Sequence, residues 1–156
     1  MLRFLKNWTL PVAIVVGVGL YFIFALTPQL DAAGERLEPI SLSLRGWYLA
    51  VVRPAIPVST KEAFSLITPQ HPDVNCRDIV MQPVETWRDH LTNDFEKSVF
   101  ALHPEIGAIK DRLYDLGAVY AAMSGSGSSL FGLFREPVSL DEFNAEGTFK
   151  TIIPLD

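Results

Sequence analysis

The residues best suited to chemistry form a short run of serine and glycine, Ser124-Gly-Ser-Gly-Ser-Ser129. Gly125 and Gly127 allow positive φ angles and let the backbone approach an anion closely. The serine hydroxyls can donate to phosphate oxygens. A plain glycine turn between two paired strands is the other interpretation, and the spacing alone favours it. The candidate phosphate- or substrate-binding residues are Ser124, Gly125, Ser126, Gly127 and Ser128.

This run does not match the better-known phosphate and nucleophile loops. Leu130 stands where a dinucleotide fingerprint has its last glycine, and a strand follows instead of a long helix. No Gly-Lys-Ser/Thr follows, so the run is not a Walker A loop. Its order also differs from the Gly-x-Ser-x-Gly elbow of hydrolases.

No other residues have the spacing of a catalytic or metal site. The three histidines are isolated, and Cys76 has no partner at zinc spacing. Asp94 and Glu96 are two residues apart, so on a helix they do not share a face. With Asn93 as cap they are typical of a helix start. We therefore predict no catalytic and no metal-binding residue.

The overall composition excludes some classes of protein. The chain has 156 residues, enough for one domain, and a net charge of −5, which gives no electrostatic reason to expect a nucleic-acid partner. A single cysteine excludes an intrachain disulfide. Hydrophobic residues make up 49% of the chain and are concentrated at the N-terminus.

Residues 1–40 are predicted to be a membrane segment and linker. No charged residue occurs from Asn7 to Leu30, and Trp8–Leu26 has about the length that crosses the hydrocarbon core. A signal peptide and a buried core helix are the alternatives. Arg3 and Lys6 precede the span, so the positive-inside rule predicts a single-pass membrane protein with residues after the span outside the cytoplasm.

The stretch Met1–Ile40 also resembles the opening of bile acid:sodium symporter family proteins, which begin with a short basic start and a first membrane helix. The resemblance carries no transport residue. The uncharged span itself predicts the membrane as a partner, through residues 8–26.

Residues 41–156 are predicted to form an α+β domain. Ser59 and Glu62 form a capping box that begins a helix at about Thr60, and Pro104 opens another helix that ends before Gly117. The order is strand, helices, strand, strand, helix, strand, which is the ferredoxin-like split βαβ order, an antiparallel sheet with helices on one face. The predicted strands are Gly46–Arg53, Ala118–Met123, Leu130–Phe134 and Thr148–Pro154. The segment Pro69–Gln82 is predicted to be a loop, Val84–Leu91 a short helix, and Leu140–Ala145 another.

Three motifs in this order resemble the C-terminal half of the 4-diphosphocytidyl-2-C-methyl-D-erythritol kinase family, in the GHMP kinase superfamily. They are Arg53–Phe64, Asn93-Asp-Phe-Glu96 and Leu113–Phe134, and the resemblance covers about three quarters of the chain. It implies the GHMP kinase C-terminal fold, with Ser124–Ser129 as the superfamily's third motif beside the phosphates and substrate. It further implies ATP and Mg²⁺, a cytidine-diphosphate methylerythritol substrate phosphorylated on its 2-hydroxyl, non-mevalonate isoprenoid biosynthesis and a cytoplasmic family.

The family's main ATP loop, Pro-x-Gly-x-Gly-Leu-Gly-Gly-Gly-Ser-Ser, lies in its N-terminal half with the catalytic Lys and Asp, and this chain has no such loop. We therefore expect a truncated kinase that is inactive alone. Two alternatives stay open. One is a membrane-tethered binding or interaction module, and the other is a fusion fragment without a selected function.

Overall fold

Four strands form one antiparallel sheet in the computed structural model, which describes residues 40–67, 74 and 76–156. The sheet order is β2-β3-β1-β4, and each neighbouring pair is antiparallel. Strands β1 and β2 therefore run parallel with β3 between them, as in a split βαβ unit. The predicted α+β class with an antiparallel sheet is confirmed. The strands are β1 Trp47–Arg53, β2 Tyr120–Met123, β3 Leu130–Phe134 and β4 Phe149–Leu155.

The helices begin and end largely at the predicted signals. The capping box is present at the first helix, where the Ser59 hydroxyl accepts from the Glu62 N–H at 3.1 Å and the Glu62 carboxylate accepts from the Ser59 N–H at 2.7 Å. Pro104 is the first residue of the longest described helix, and Gly117 follows its end with a φ of 96°. The helices are α1 Thr60–Phe64, α2 Cys76–Val80, α3 Trp87–His90, α4 Phe95–Leu102 and α5 Pro104–Asp115, and a 3-10 turn spans Val84–Thr86.

Alternating side chains of the sheet pack into two separate hydrophobic clusters, one on each face. The first face carries α1, α4 and α5, and the second carries α2, α3 and the 3-10 turn. The prediction that helices lie on one face alone was therefore wrong. On the first face the buried residues include Ala50, Val52, Ala63, Val99, Ile106, Leu113, Met123 and Leu130. On the second they include Trp47, Ile79, Val80, Trp87, Tyr120, Ala122 and Leu133.

Two local predictions also differ from the structure. Helix α2 lies inside the segment predicted to be a loop, because Ile79 and Val80 are buried against the second face of the sheet. The helix predicted over Leu140–Ala145 is instead a pair of turns, with the Phe143 N–H donating to the Leu140 carbonyl. There the Ser139 hydroxyl accepts from the Asp141 N–H, a local bond that competes with helix.

The membrane span predicted over Trp8–Leu26 lies outside the residues that the structure describes. Among the residues that it does describe, no helix is long and apolar enough to cross a bilayer. Within the same residues, the large hydrophobic side chains that remain exposed lie on or beside helices and not on β2 or β3; they are Phe64, Leu66, Val74, Met81 and Leu102.

Candidate functional site

Ser124–Ser129, hereafter the glycine loop, connects β2 to β3. The Ser124 N–H donates to the Ser129 carbonyl at 2.7 Å, and the Gly127 N–H donates to the Ser124 carbonyl at 3.1 Å. Gly125 and Gly127 have φ angles of 59° and 91°, in the region that favours glycine. The prediction of a tight turn between these two strands is confirmed.

The glycine loop presents free hydrogen-bond donors at a partly exposed position. Ser124 and Gly125 are buried, whereas Ser126, Gly127 and Ser128 are half-buried, so the tip of the loop is not part of the core. Within residues 40–67 and 76–156, the N–H groups of Gly125, Ser126, Ser128 and Ser129 have no hydrogen-bond acceptor. Free backbone N–H groups gathered in a glycine turn are suited to binding an anion.

The side-chain amide of Asn93 supports the loop from the start of α4. It donates to the carbonyls of Met123 and Gly125, each at 2.8 Å. Its oxygen accepts from the Phe95 N–H at 3.0 Å. The same side chain thus contributes to the first turn of α4 and holds the backbone on either side of Ser124.

Glu96 also reaches the strand that leads into the loop. Its Oε1 accepts from the Met123 N–H at 2.7 Å, and its Oε2 accepts from Lys110 Nζ at 2.5 Å. Glu96 is buried, with 8% of its surface exposed, so its charge is held by this ion pair and by the backbone donor. The carboxylate therefore joins α4, α5 and β2.

The hydroxyl of Tyr114, on α5, completes the contacts along β2. It accepts from the Ala121 N–H and donates to the Ala121 carbonyl, each at 3.1 Å. At the opposite side of the loop, the Ser128 hydroxyl lies 3.4 Å from the Pro54 carbonyl, just after β1. The loop is therefore held by strand ends and helix starts from both sides.

These positioning side chains correct the sequence interpretation of Asn93-Asp-Phe-Glu96. Asp94 occupies the cap position without a side-chain cap hydrogen bond, and Glu96 does not reach back to close a capping box. Asn93 keeps a helix-start contact, but two of its three hydrogen bonds go to the carbonyls on either side of Ser124. Helix-start signals are local, whereas these partners are about thirty residues away in sequence. The burial of a Glu at the first turn could be identified only from the fold.

On the other face of the sheet, the pKa values of Tyr120 and Cys76 are both raised. Burial, reinforced by the nearby Glu96 charge, raises the pKa of the Tyr120 hydroxyl well above its ordinary value. Its hydroxyl donates to the Leu91 carbonyl at 3.1 Å. Burial, followed by the charge of Asp94, raises the pKa of the Cys76 thiol, so Cys76 is less ready to form a thiolate.

The donor set of the glycine loop fits phosphate better than it fits a metal ion. Backbone N–H groups and serine hydroxyls are donors for phosphate oxygens, whereas Mg²⁺ requires oxygen ligands, usually carboxylates. Among the described residues, no group of three or more His, Cys, Asp or Glu side chains could hold a metal ion. The structure thus keeps all five predicted residues together in one loop and adds Asn93 and Glu96 behind it.

Residues 79–146 match the family model for the C-terminal part of GHMP kinases. This range contains α4, α5, β2, the glycine loop and β3. The similarity of this chain to GHMP kinases therefore includes the part that holds the glycine loop. The sequence resemblance to this superfamily is confirmed for that part of the chain.

Several curated proteins that are similar to this chain are bacterial kinases. The 4-diphosphocytidyl-2-C-methyl-D-erythritol kinase of Parabacteroides distasonis is 46% identical over 132 residues, which cover 84% of this chain and 49% of that protein. The enzyme of the same name from Bacteroides fragilis is 44% identical over 142 residues, covering 89% of this chain and 52% of that protein. A crystal structure of 4-(cytidine 5'-diphospho)-2C-methyl-D-erythritol kinase superposes with a TM-score of 0.55 at 26% identity, covering 78% of this chain and 47% of that one.

The chain spans about half the length of the curated relatives it matches. Since residues 41–156 are about three quarters of the chain, a coverage of 84% means that the similarity also includes residues before 41. The matches give no support to the resemblance of residues 1–40 to a bile acid:sodium symporter or to a membrane partner.

Proposed function

We propose that this chain supplies the C-terminal part of a 4-diphosphocytidyl-2-C-methyl-D-erythritol kinase site, with Ser124, Gly125, Ser126, Gly127 and Ser128 beside the phosphates or substrate. The reaction is ATP-dependent phosphorylation of the substrate's 2-hydroxyl, in non-mevalonate isoprenoid biosynthesis. The observation that carries the proposal is a half-buried glycine loop, inside the matched range 79–146, whose N–H groups at Ser126 and Ser128 have no acceptor among the described residues. The names of the relatives support the choice of substrate.

The proposed contribution of the loop is electrostatic. Phosphoryl transfer depends mainly on positioning and on stabilising negative charge on the phosphate oxygens. The N–H groups of Ser126 and Ser128 and the nearby hydroxyls can supply such donors. When bound, ATP with Mg²⁺ would supply the transferred phosphoryl group. The described residues would hold phosphate or substrate oxygens and provide no cluster of carboxylates for the metal.

A chimaera tests this proposal directly. The C-terminal part of the Parabacteroides distasonis kinase is replaced by the matching residues of this chain, and phosphorylation of 4-diphosphocytidyl-2-C-methyl-D-erythritol is measured. We expect an active chimaera whose turnover falls at least about a hundredfold with Gly127→Val, since that change strains the phosphate loop. The matched control is Gly46→Val, a change at another positive-φ glycine with open space around it. A folded chimaera without activity would contradict the proposal.

The 156-residue chain by itself should not turn over this substrate, because its sequence lacks the family's main ATP loop. The loop should still bind anions weakly, with a Kd on the order of millimolar, because one loop alone contributes only about 4 kcal/mol of binding free energy. Calorimetry with ATP measures this. Micromolar binding, or turnover that survives chromatography, would contradict this part of the proposal.

The membrane segment is a separate proposal that rests on sequence alone. Trp8–Leu26 is proposed to cross the membrane once, with the residues that follow the span outside the cytoplasm. A pair of reporters fused after Asp156, one active only in the cytoplasm and one only outside it, gives the test. Activity of the cytoplasmic reporter alone would show that the proposed orientation is wrong.

A further inference from the structure

The peptide groups on either side of Ser124 are held by one side chain. Asn93 donates through its amide nitrogen to the Met123 carbonyl and to the Gly125 carbonyl, at 2.8 Å in both cases. The amide of Asn93 is anchored in turn, because its oxygen accepts from the Phe95 N–H at 3.0 Å. Both carbonyls are therefore directed toward the start of α4.

A trans peptide unit points its C=O and its N–H in opposite directions. The Met123 carbonyl points at Asn93, so the Ser124 N–H points away from Asn93, and it donates to the Ser129 carbonyl across the turn. The Gly125 carbonyl also points at Asn93, so the Ser126 N–H must point away from α4. Within the part of the chain that the structure describes, this N–H has no acceptor.

We infer that Asn93 is a positioning residue of the glycine loop: by holding the Gly125 carbonyl, it turns the Ser126 N–H toward a bound phosphate group. The identity of the ligand rests on the function proposed above, whereas the positioning rests on the hydrogen bonds of Asn93 alone. Without this contact, the Gly125–Ser126 peptide could rotate, because Gly125, on one side of it, has few backbone restrictions. A carbonyl oxygen would then face the phosphate and repel it.

Substitution can separate this role from the role of Asn93 in starting α4. Asn93→Asp keeps the oxygen that accepts from the Phe95 N–H, but at pH 7 it replaces the donor with an oxygen facing two carbonyls. Asn93→Ser is the second variant: its hydroxyl can still cap the helix, but its side chain is too short to reach the two carbonyls that Asn93 holds. Asn144→Asp is the matched control, because Asn144 is exposed and accepts from Lys150 through an oxygen that Asp retains.

The experiment uses the full 156-residue chain, labelled with ¹⁵N and kept in detergent, and titrates it with inorganic pyrophosphate. The amide resonance of Ser126 reports binding, the ¹⁵N heteronuclear NOE of Gly125 and Ser126 reports loop order, and the Phe95 resonance reports the start of α4. We expect about tenfold weaker binding and a lower loop NOE in both Asn93 variants, with the Phe95 resonance retained. Asn144→Asp should match the unmodified chain.

The outcomes separate the two proposals. Binding and loop order that survive both Asn93 substitutions would overturn the positioning role. Loss of the Phe95 resonance together with the loop signals, in both variants, would also overturn it, because Asn93 would then act only through the helix. If the unmodified chain ignores pyrophosphate while the loop NOE still falls in the variants, the positioning role stands and the phosphate function fails.

Discussion

In the described part of the chain, strands β2 and β4 form the two edges of the sheet. The outward-facing backbone groups of these two strands differ in their hydrogen-bond partners. The outward-facing residues of β2 are bound by side chains: Tyr114 holds the N–H and C=O of Ala121, Glu96 holds the N–H of Met123, and Asn93 holds its C=O. In β4, by contrast, no side-chain hydrogen bond reaches the backbone from the residues that the structure describes. This strand contains Pro154, which has no N–H to offer to another chain.

This difference follows the position of the glycine loop. An unpaired strand edge is free to slip or to pair with another chain unless it is covered. Strand β2 continues directly into the loop, so the side chains that close its edge also limit the movement of Ser124 and Gly125. Of the two edges, the one that continues into the candidate site is therefore the one whose backbone is bound by side chains of the described residues.

Removing the carboxylate at the β2 edge should have the largest effect on stability. Glu96→Ala leaves the buried Met123 N–H and the Lys110 ammonium without their partner. We expect a loss of about 3 kcal/mol in the free energy of unfolding, measured by denaturant titration. Glu105→Ala is the control, because Glu105 is exposed and lies 3.8 Å from His103. Equal losses in the two variants would show that the contacts of Glu96 with Met123 and Lys110 stabilise the fold no more than an exposed carboxylate does.

A substitution at Gly127 in the glycine loop should have the second-largest effect on stability. Gly127→Ala places a Cβ at a φ of 91° and 2.8 Å from Met123 Sδ, whereas Gly46→Ala, next to the end of β4, adds a Cβ at a φ of 80° with nothing within 4 Å. We expect losses of about 2 and about 1 kcal/mol. The difference between the two variants isolates the packing of the loop. Equal losses would mean that Met123 moves aside without cost.

Tyr114→Phe removes only a hydroxyl from the β2 edge. The Ala121 N–H and C=O lose their partner in a fully buried position, and we expect a loss of about 1.5 kcal/mol. The Arg88 guanidinium, 4.1 Å from the ring centre, keeps its contact with the ring. Tyr48→Phe is the comparison, since the Tyr48 hydroxyl has no hydrogen-bond partner within the described ranges. Thermal unfolding of both variants measures the difference.

The smallest effect is expected at the other edge. Pro154→Ala adds an N–H at an exposed residue of β4 and removes no donor, so the free energy of unfolding should change by less than about 0.5 kcal/mol. Sedimentation at increasing concentration gives a second measurement. Association of this variant, but not of the unmodified chain, would show that Pro154 protects the edge.

Short-range signals in the sequence were sufficient for several of the elements and for the loop. The Ser59–Glu62 capping box, Pro104 at the start of α5 and Gly117 after its end are all contained within one or two turns of chain. The same is true of the glycine loop, where two residues without Cβ atoms define a turn between two strands. Strand β3 was predicted at its observed bounds for the same reason, because an apolar run with two phenylalanines follows a turn signal.

The sequence by itself thus determined an antiparallel α+β domain with one candidate phosphate loop. Only the tertiary structure decided that helices cover both faces of the sheet, and that Asn93 and Glu96 support the loop instead of closing a capping box. Their partners lie about thirty residues further along the chain, and no local pattern records that distance. The physical reason is burial. Because the Glu96 carboxylate is enclosed beside β2, it needs hydrogen-bond donors, and those next to it are the Met123 N–H and Lys110.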